Sequence, residues 1–116
     1  MLSKSELRAI LDRQLLVDDD VYTGHVSDRG GYISDARASL MDAICDPFLV
    51  SAKVMAPAFP DHPVGEVLRG FCLAQGNGSW LVYVPEEARF YCFWGSSRDN
   101  LGAHGISGSP LACWLT

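Results

Sequence analysis

The chain has 116 residues, of which 48% are hydrophobic and 20% are charged, and its formal net charge is −5. This length is typical of one domain, and this composition excludes an intrinsically disordered chain, so we predict a single domain over residues 1–116. No apolar run reaches the roughly 20 residues that a membrane-spanning helix needs. The N-terminal residues lack the apolar centre of a signal peptide. We therefore expect a cytoplasmic protein with no membrane partner.

The acidic side chains are unevenly distributed along the chain. Residues 1–46 hold nine acids against five bases, whereas residues 47–116 hold five acids against four bases. An acidic surface repels phosphate backbones, so the charge argues against direct nucleic-acid binding and favours a basic protein partner. A solvated acidic surface that only aids solubility is the alternative interpretation.

The first residues predict an amphipathic helix. Ser3 and Glu6 have the spacing of a capping box, and apolar residues at helical spacing follow them. We therefore expect a helix over residues 4–16. The glycine-containing segment 21–33 predicts a hairpin or an extended loop.

The middle of the chain predicts a second helix and a strand. Ser34 or Asp35 is the expected N-cap of this helix, which should end before Pro47, because the residue before a proline is pushed out of the helical region. Residues 48–56 fit either a buried strand or a continuation of the helix, and their β-branched residues together with the preceding proline favour the strand. Residues 57–63 contain three prolines and predict a stiff loop.

The C-terminal half predicts a β-meander followed by a short helix. We expect, in order, a strand over 71–75, a turn over 76–78, strands over 79–84 and 90–94, a loop over 96–108, and a helix that starts at Ser109 and Pro110. The predicted fold class is therefore α+β, an antiparallel β-meander of three to five strands with helices packed on one face.

The strands predicted at 79–84 and 90–94 carry apolar side chains on both faces, whereas a half-exposed strand alternates. Because the helices can cover only one face, the other needs the segment 48–63, a second copy of the chain, or another protein; the alternative is that loops and the terminal helix cover both faces. An exposed patch with Trp and Tyr is typical of a protein interface. We predict a partner-binding surface whose anchors come from Tyr83, Tyr91, Phe93 and Trp94, and whose steering acids are Asp18, Asp19, Asp20 and Asp28.

The sequence contains no recognisable catalytic, cofactor-binding or metal-binding motif. The four cysteines lack C-x-x-C spacing and are predicted to be reduced, buried side chains. The histidines at 25, 62 and 104 stand in loop-like neighbourhoods without zinc-ligand spacing. The segment from Gly105 to Ser109 lacks the final glycine of a nucleophile elbow. We therefore predict no catalytic residue, no cofactor and no metal.

The stretch GFCLAQGNGSWLVYVPEEARFYCFWG, followed by SGSPLACWL, resembles the C-terminal half of the SUKH superfamily of bacterial toxin-immunity proteins. The resemblance covers about residues 70–116. The N-terminal half lacks the Trp-Gly entry that is usual in that superfamily. The resemblance implies a small, acidic, non-enzymatic protein that binds and blocks a cognate toxin.

Three hypotheses follow from these observations. The leading one is an immunity-type inhibitor that occludes a toxin with a basic active-site groove. The second is a small-ligand or regulatory module that forms a homodimer through the second face of its sheet. The third is a small enzyme that uses His62 or His104 in a pocket built from loops.

Overall fold

The structure is a computed structural model, and it describes residues 2–18, 20–21, 27–76 and 78–115. The elements, in chain order, are α1 (Lys4–Gln14), α2 (Arg29–Ala43), β1 (Ile44–Val54), β2 (Val67–Gln75), β3 (Ser79–Val84), β4 (Arg89–Trp94), β5 (Leu101–Gly108) and α3 (Pro110–Trp114). The predicted α+β class is confirmed, and β2 to β5 form an antiparallel meander. No helix formed by these residues is both long enough and apolar enough to cross a membrane.

The five strands form a closed barrel, because β1 pairs with β5 as well as with β2. The β1–β2 pair is antiparallel, whereas β1 and β5 run parallel where residues 52–54 face residues 101–103. Closure turns one face of every strand toward the barrel interior, where the opposite strands cover it.

Two hydrophobic cores result from this closure. The inner core fills the barrel with residues that include Val54, Val82 and Phe93. The outer core lies between the outside of the meander and the helices. Apart from Trp94, which is half-buried, the apolar side chains on both faces of β3 and β4 are therefore buried within one chain. Of the covers expected for the second face, the segment 48–63 is the one that the structure shows, because its residues Val50, Val54 and Phe59 lie in the inner core with β3 and β4.

The caps predicted for the first and last helices are confirmed. The Ser3 hydroxyl accepts a hydrogen bond from the backbone N–H of Glu6, and the Glu6 carboxylate accepts one from the N–H of Ser3. Ser109 caps α3 by accepting from the N–H of Ala112, and Pro110 occupies the first helical position. Local residue chemistry thus sets the N-termini of these two helices.

The second helix starts earlier than the sequence predicts. Its N-cap is Asp28, whose carboxylate accepts a hydrogen bond of 3.0 Å from the N–H of Gly31. A Cβ on Gly31 would lie 2.5 Å from the Asp28 carboxylate, so glycine permits this close approach. The prediction of Ser34 or Asp35 as the cap is wrong because the glycines belong to the first turn of the helix. The prediction of a hairpin or an extended loop over 21–33 is wrong for residues 29–33, which form the start of α2, and residues 22–26 of that segment lie outside the described residues.

The loop predicted over residues 96–108 contains the strand that closes the barrel. β5 pairs with β4 and β1 although it contains three glycines, at 102, 105 and 108. Gly105 has φ +81°, and a Cβ there would lie 3.1 Å from the carbonyl oxygen of Pro57. Glycine is depleted in strands, and here it allows the bends and close backbone approaches that closing a sheet requires.

Gly70 provides a test of the packing between β2 and β3. A Cβ at this position would lie 2.4 Å from the carbonyl oxygen of Tyr83 and 2.7 Å from a methyl group of Val82. We expect Gly70→Ala to lower the free energy of unfolding by about 1–3 kcal/mol, as overpacking does, measured by urea denaturation. The control is Gly30→Ala in the first turn of α2, where the nearest atom is 3.9 Å away and alanine favours the helix. Equal stability of the two variants would contradict this account.

Candidate functional site

The structure encloses most of the aromatic side chains that the sequence suggested as partner anchors. Tyr91 and Phe93 are 0% exposed in the barrel interior, and Tyr83 is buried in the outer core. Trp94 is half-buried, and its ring meets that of His104 edge-on at 5.3 Å between centroids. The physical reason for predicting Tyr83, Tyr91 and Phe93 as anchors is therefore removed, and only Trp94 reaches the surface.

The predicted steering acids have partners within the chain. Asp18 lies 3.8 Å from the guanidinium of Arg29, and Asp28 is the cap of α2. Asp20 accepts hydrogen bonds from the backbone N–H and the hydroxyl of Ser109, at 2.9 and 2.6 Å. Asp19 lies outside the described residues. The three described acids therefore stabilise the fold, and their contact with a partner stays a prediction.

One stretch of the outer sheet surface is not covered by helices, and we call it the open face. It is formed by Leu49, Ser51 and Lys53 of β1 and their neighbours Phe71, Arg69 and Val67 of β2. Leu49 and Val67 are 53% and 60% exposed, while Val50 and Leu68, the residues that follow them along each strand, are buried. The open face has the alternation of a half-exposed sheet but carries apolar side chains on its exposed side.

A groove of about 630 Å³ extends from the open face toward α1 and the β3–β4 turn. Its apolar part includes Leu49 and Phe71, which are neighbours across the β1–β2 pair. Its charged residues are Glu6, Glu86 and Arg69. The groove therefore combines an apolar floor with two carboxylates and one guanidinium.

A second group of side chains, which we call the His62 cluster, lies at one end of the barrel. The cluster consists of Asp61, His62, Glu66, Glu87 and Arg89, together with the hydroxyl of Tyr91. Asp61 to Glu66 come from the loop between β1 and β2, and Glu87 lies in the β3–β4 turn. Backbone hydrogen bonds of 3.2 and 3.3 Å between Phe59 and His62 tighten this loop, and Phe59 attaches it to the barrel by packing in the inner core beside Tyr91.

His62 stands between two carboxylates. Its Nδ1 lies 2.5 Å from Glu66 and its Nε2 lies 2.7 Å from Glu87, while Asp61 lies 3.6 Å from Nε2. Desolvation acts to lower the pKa of His62, but the hydrogen bonds to Glu66 and Glu87 and the negative charges of Glu87 and Asp61 outweigh it. The net result is a raised pKa, so these carboxylates favour a positive charge at the imidazole.

Tyr91 connects the His62 cluster to the inner core. Its ring is packed inside the barrel, and its hydroxyl donates a hydrogen bond to Glu87. Desolvation and the bond to Glu87 raise the pKa of Tyr91, so the phenol stays protonated and remains a donor. One carboxylate oxygen of Glu87 is therefore bonded to Tyr91 on the barrel side, and the other oxygen faces His62.

The cysteines show no sign of an activated nucleophile. None of the four forms a disulfide, and the predicted burial is confirmed for Cys72, Cys92 and Cys113, while Cys45 is half-buried. Desolvation by burial raises the pKa of Cys45, and it raises that of Cys72 to about 12. A reactive thiol needs a lowered pKa, so these two thiols lack the usual property of a catalytic cysteine.

The sequence did not predict the convergence of the His62 cluster or the exposure of the open face. The spacing of His62 and Glu66 was visible, but nothing local places Glu87, which is 25 residues away from His62, beside the same ring. Polar Ser51 and Lys53 alternate with apolar residues, which is the sequence pattern of a half-exposed strand. The preceding run FLV is apolar throughout, so the sequence does not show that Leu49 lies on the exposed side.

Comparisons with protein-family models, with curated proteins and with solved structures found no match to this chain. The resemblance to the SUKH superfamily stays a prediction.

Proposed function

We propose that this chain is a non-enzymatic protein-binding domain that docks a basic protein partner on its open face. The observation that carries the proposal is the exposure of Leu49 and Val67 on a regular stretch of sheet. Single exposed apolar side chains are ordinary, but these two flank Arg69 in the strand register, and Phe71 adjoins Leu49. Grouped exposed apolar side chains on a regular surface are typical of a site that a partner covers.

The acidic charge of the chain as a whole favours a basic partner, whereas the open face and its groove together hold two acids and two bases. Two carboxylates, Glu6 and Glu86, line the groove beside the guanidinium of Arg69, and the open face adds the ammonium group of Lys53. The chain as a whole carries a formal charge of −5, which attracts a basic protein at long range and raises its association rate. We expect an apolar side chain of the partner to enter between Leu49 and Phe71, with basic groups facing the two carboxylates.

The narrower proposal is that the partner is a bacterial toxin and that the chain is its immunity protein. The acidic charge and the resemblance of residues 70–116 support it. An inhibitor of this kind acts by occluding the active-site groove of the toxin, so it needs a complementary surface and no catalytic residues. A homodimer that buries the open face against a second copy is the rival outcome.

Leu49→Asp tests the proposal. We expect it to weaken binding to the toxin encoded beside this chain at least tenfold, about 1.4 kcal/mol, because a charge then stands in the apolar part of the groove. Isothermal titration calorimetry with the purified pair measures the change. The matched control is Leu16→Asp, the same change at an exposed leucine just beyond the C-terminal end of α1, which should bind as the unmodified chain does.

Three results would count against the proposal. Unchanged affinity of the folded Leu49→Asp variant would remove the open face from the interface. A neighbouring gene product that is not a toxin, or that this chain does not neutralise, would remove the immunity role. A dimer at low concentration by light scattering, dissociated by Leu49→Asp, would assign the open face to a second copy of the chain.

A further inference from the structure

We propose that the His62 cluster is a binding site for a divalent transition-metal ion, with zinc as the best-fitting ion. The ligands would be the imidazole Nε2 of His62 and the carboxylates of Asp61 and Glu87. The ligand atoms of these three residues all lie within 4.8 Å of one another. The proposal is independent of the open face and of what that face binds.

The distances between the ligand atoms fit a tetrahedral ion. Two nitrogen or oxygen ligands that each lie about 2.0–2.1 Å from zinc are about 3.3 Å apart in a tetrahedral site. The distances from His62 Nε2 are 2.7 Å to Glu87 and 3.6 Å to Asp61, which lie on either side of that value. To form the site, Glu87 would move about 0.6 Å away from Nε2 and Asp61 about 0.3 Å toward it, and the two carboxylates, which lie within 4.8 Å of each other, would close around the ion.

Two of the three ligands, His62 and Glu87, have a partner that orients them. The Glu66 carboxylate is hydrogen-bonded to Nδ1 of His62, and this bond orients the ring so that Nε2 faces the other two carboxylates. The hydroxyl of Tyr91 donates to the oxygen of Glu87 that does not face His62. The guanidinium of Arg89 lies 3.8 Å from the same Asp61 oxygen that faces His62, so an ion would replace Arg89 at that oxygen. Zinc-binding histidines usually donate their other ring N–H to a carboxylate or a carbonyl oxygen. Zinc-binding carboxylates are usually hydrogen-bonded as well.

The charge and the accessibility of the cluster suit a dication. Three carboxylates, those of Asp61, Glu66 and Glu87, surround a single permanent cation, Arg89. The side chains of His62 and Glu87 are 14% and 22% exposed, whereas that of Asp61 is 50% exposed. An ion can therefore enter from the Asp61 side, and a fourth coordination position remains for water or for a donor from another molecule.

The mixture of ligand types favours zinc over the hard cations. Calcium takes six to eight oxygen ligands, and magnesium keeps several waters around an octahedral oxygen shell. An imidazole with two carboxylates is a set that zinc and its neighbours in the first transition row accept. We therefore expect zinc to bind and magnesium at the same concentration to leave the protein unchanged.

The experiment uses the full chain after removal of metals with EDTA, titrated with Zn²⁺ alone. We expect one ion per chain by native mass spectrometry and a saturable isotherm by calorimetry. His62→Gln should weaken binding at least a hundredfold, and Glu66→Gln, which removes only the orienting carboxylate, should weaken it 10–100-fold. His104→Gln, in the strand beside Trp94, and Cys45→Ser are the matched controls and should bind as the unmodified chain does.

Cobalt substitution separates this site from a cysteine site. Co²⁺ bound to His62, Asp61 and Glu87 should give visible d–d bands without the sulfur-to-cobalt charge-transfer absorption that a thiolate ligand produces. Absence of saturable zinc binding by the unmodified chain would overturn the proposal. Equal affinity of the folded His62→Gln variant, or sulfur charge transfer in the cobalt form, would overturn it as well. None of these results would affect the role of the open face.

Discussion

Phe93→Ala is expected to lower the free energy of unfolding by about 3–5 kcal/mol, the range for removing a fully buried phenylalanine ring. Phe93 is 0% exposed, and it pairs with Trp80 on β3 and with Ala103 on β5. Its ring lies 6.5 Å from that of Tyr91 inside the barrel. Removing it leaves a cavity in the closed core, where the five strands surround it and can collapse only in part. Urea denaturation measures the loss.

The control for this prediction is Phe71→Ala. Phe71 is half-buried at the edge of the open face, so the same truncation there should cost clearly less than at Phe93. If Phe93→Ala were as stable as Phe71→Ala, the strands would not enclose the ring and the barrel would be open.

The same pair of variants separates a structural role from a binding role. At a temperature where both variants are folded, Phe93→Ala should bind the partner with unchanged affinity, because its ring does not reach the surface. Phe71→Ala should bind more weakly, because its ring lines the groove. A folded Phe93→Ala variant that loses affinity would restore the interpretation of Phe93 as an anchor.

Much of the fold follows from residues that act locally. The strand predicted over 79–84 has those bounds in the structure, and α3 begins where Ser109 and Pro110 place it. A cap or a run of aromatic and β-branched side chains exerts its effect within a few residues, so it is readable in the sequence alone. The α+β class followed from these signals.

The closure of the barrel could not be read in this way. It depends on β5, whose glycines have low strand propensity, and on a parallel pairing with β1 across about 50 residues of chain. Without knowledge of that pairing, apolar side chains on both faces of β3 and β4 implied an exposed apolar surface to which a partner could bind. With it, they imply an enclosed core. A pairing between distant segments thus reversed the functional meaning of one local pattern.

The candidate sites depend on the same closure. Glu87 in a turn and His62 in a proline-containing loop meet because the two connections leave the barrel at the same end. The open face exists because the helices pack on the outside of the meander and leave the β1–β2 surface beside Leu49 uncovered. The sequence supplied the residue types, and the arrangement of the strands decided which of them became neighbours.

The second large effect is expected at Asp20. Its carboxylate accepts hydrogen bonds from the backbone N–H and the hydroxyl of Ser109, which is buried and caps α3. Asp20→Ala leaves both donors without this acceptor, so we expect a loss of about 2–3 kcal/mol in the free energy of unfolding. Asp35→Ala, on the exposed side of α2, is the matched control and should stay within about 0.5 kcal/mol of the unmodified chain.

The pH dependence distinguishes this hydrogen-bonded role from steering of a partner. Burial acts to raise the pKa of Asp20, but the hydrogen bonds from Ser109 outweigh it, so the pKa lies below its ordinary value of 3.8. A lowered pKa in the folded chain means that the stabilisation is complete above the unfolded value and is lost as the pH falls through the folded value. The stability difference between the unmodified chain and Asp20→Asn should therefore be larger at pH 7 than at pH 3. A difference that is independent of pH would show that the charge of Asp20 does not hold Ser109, and its carboxylate would then be available to a basic partner.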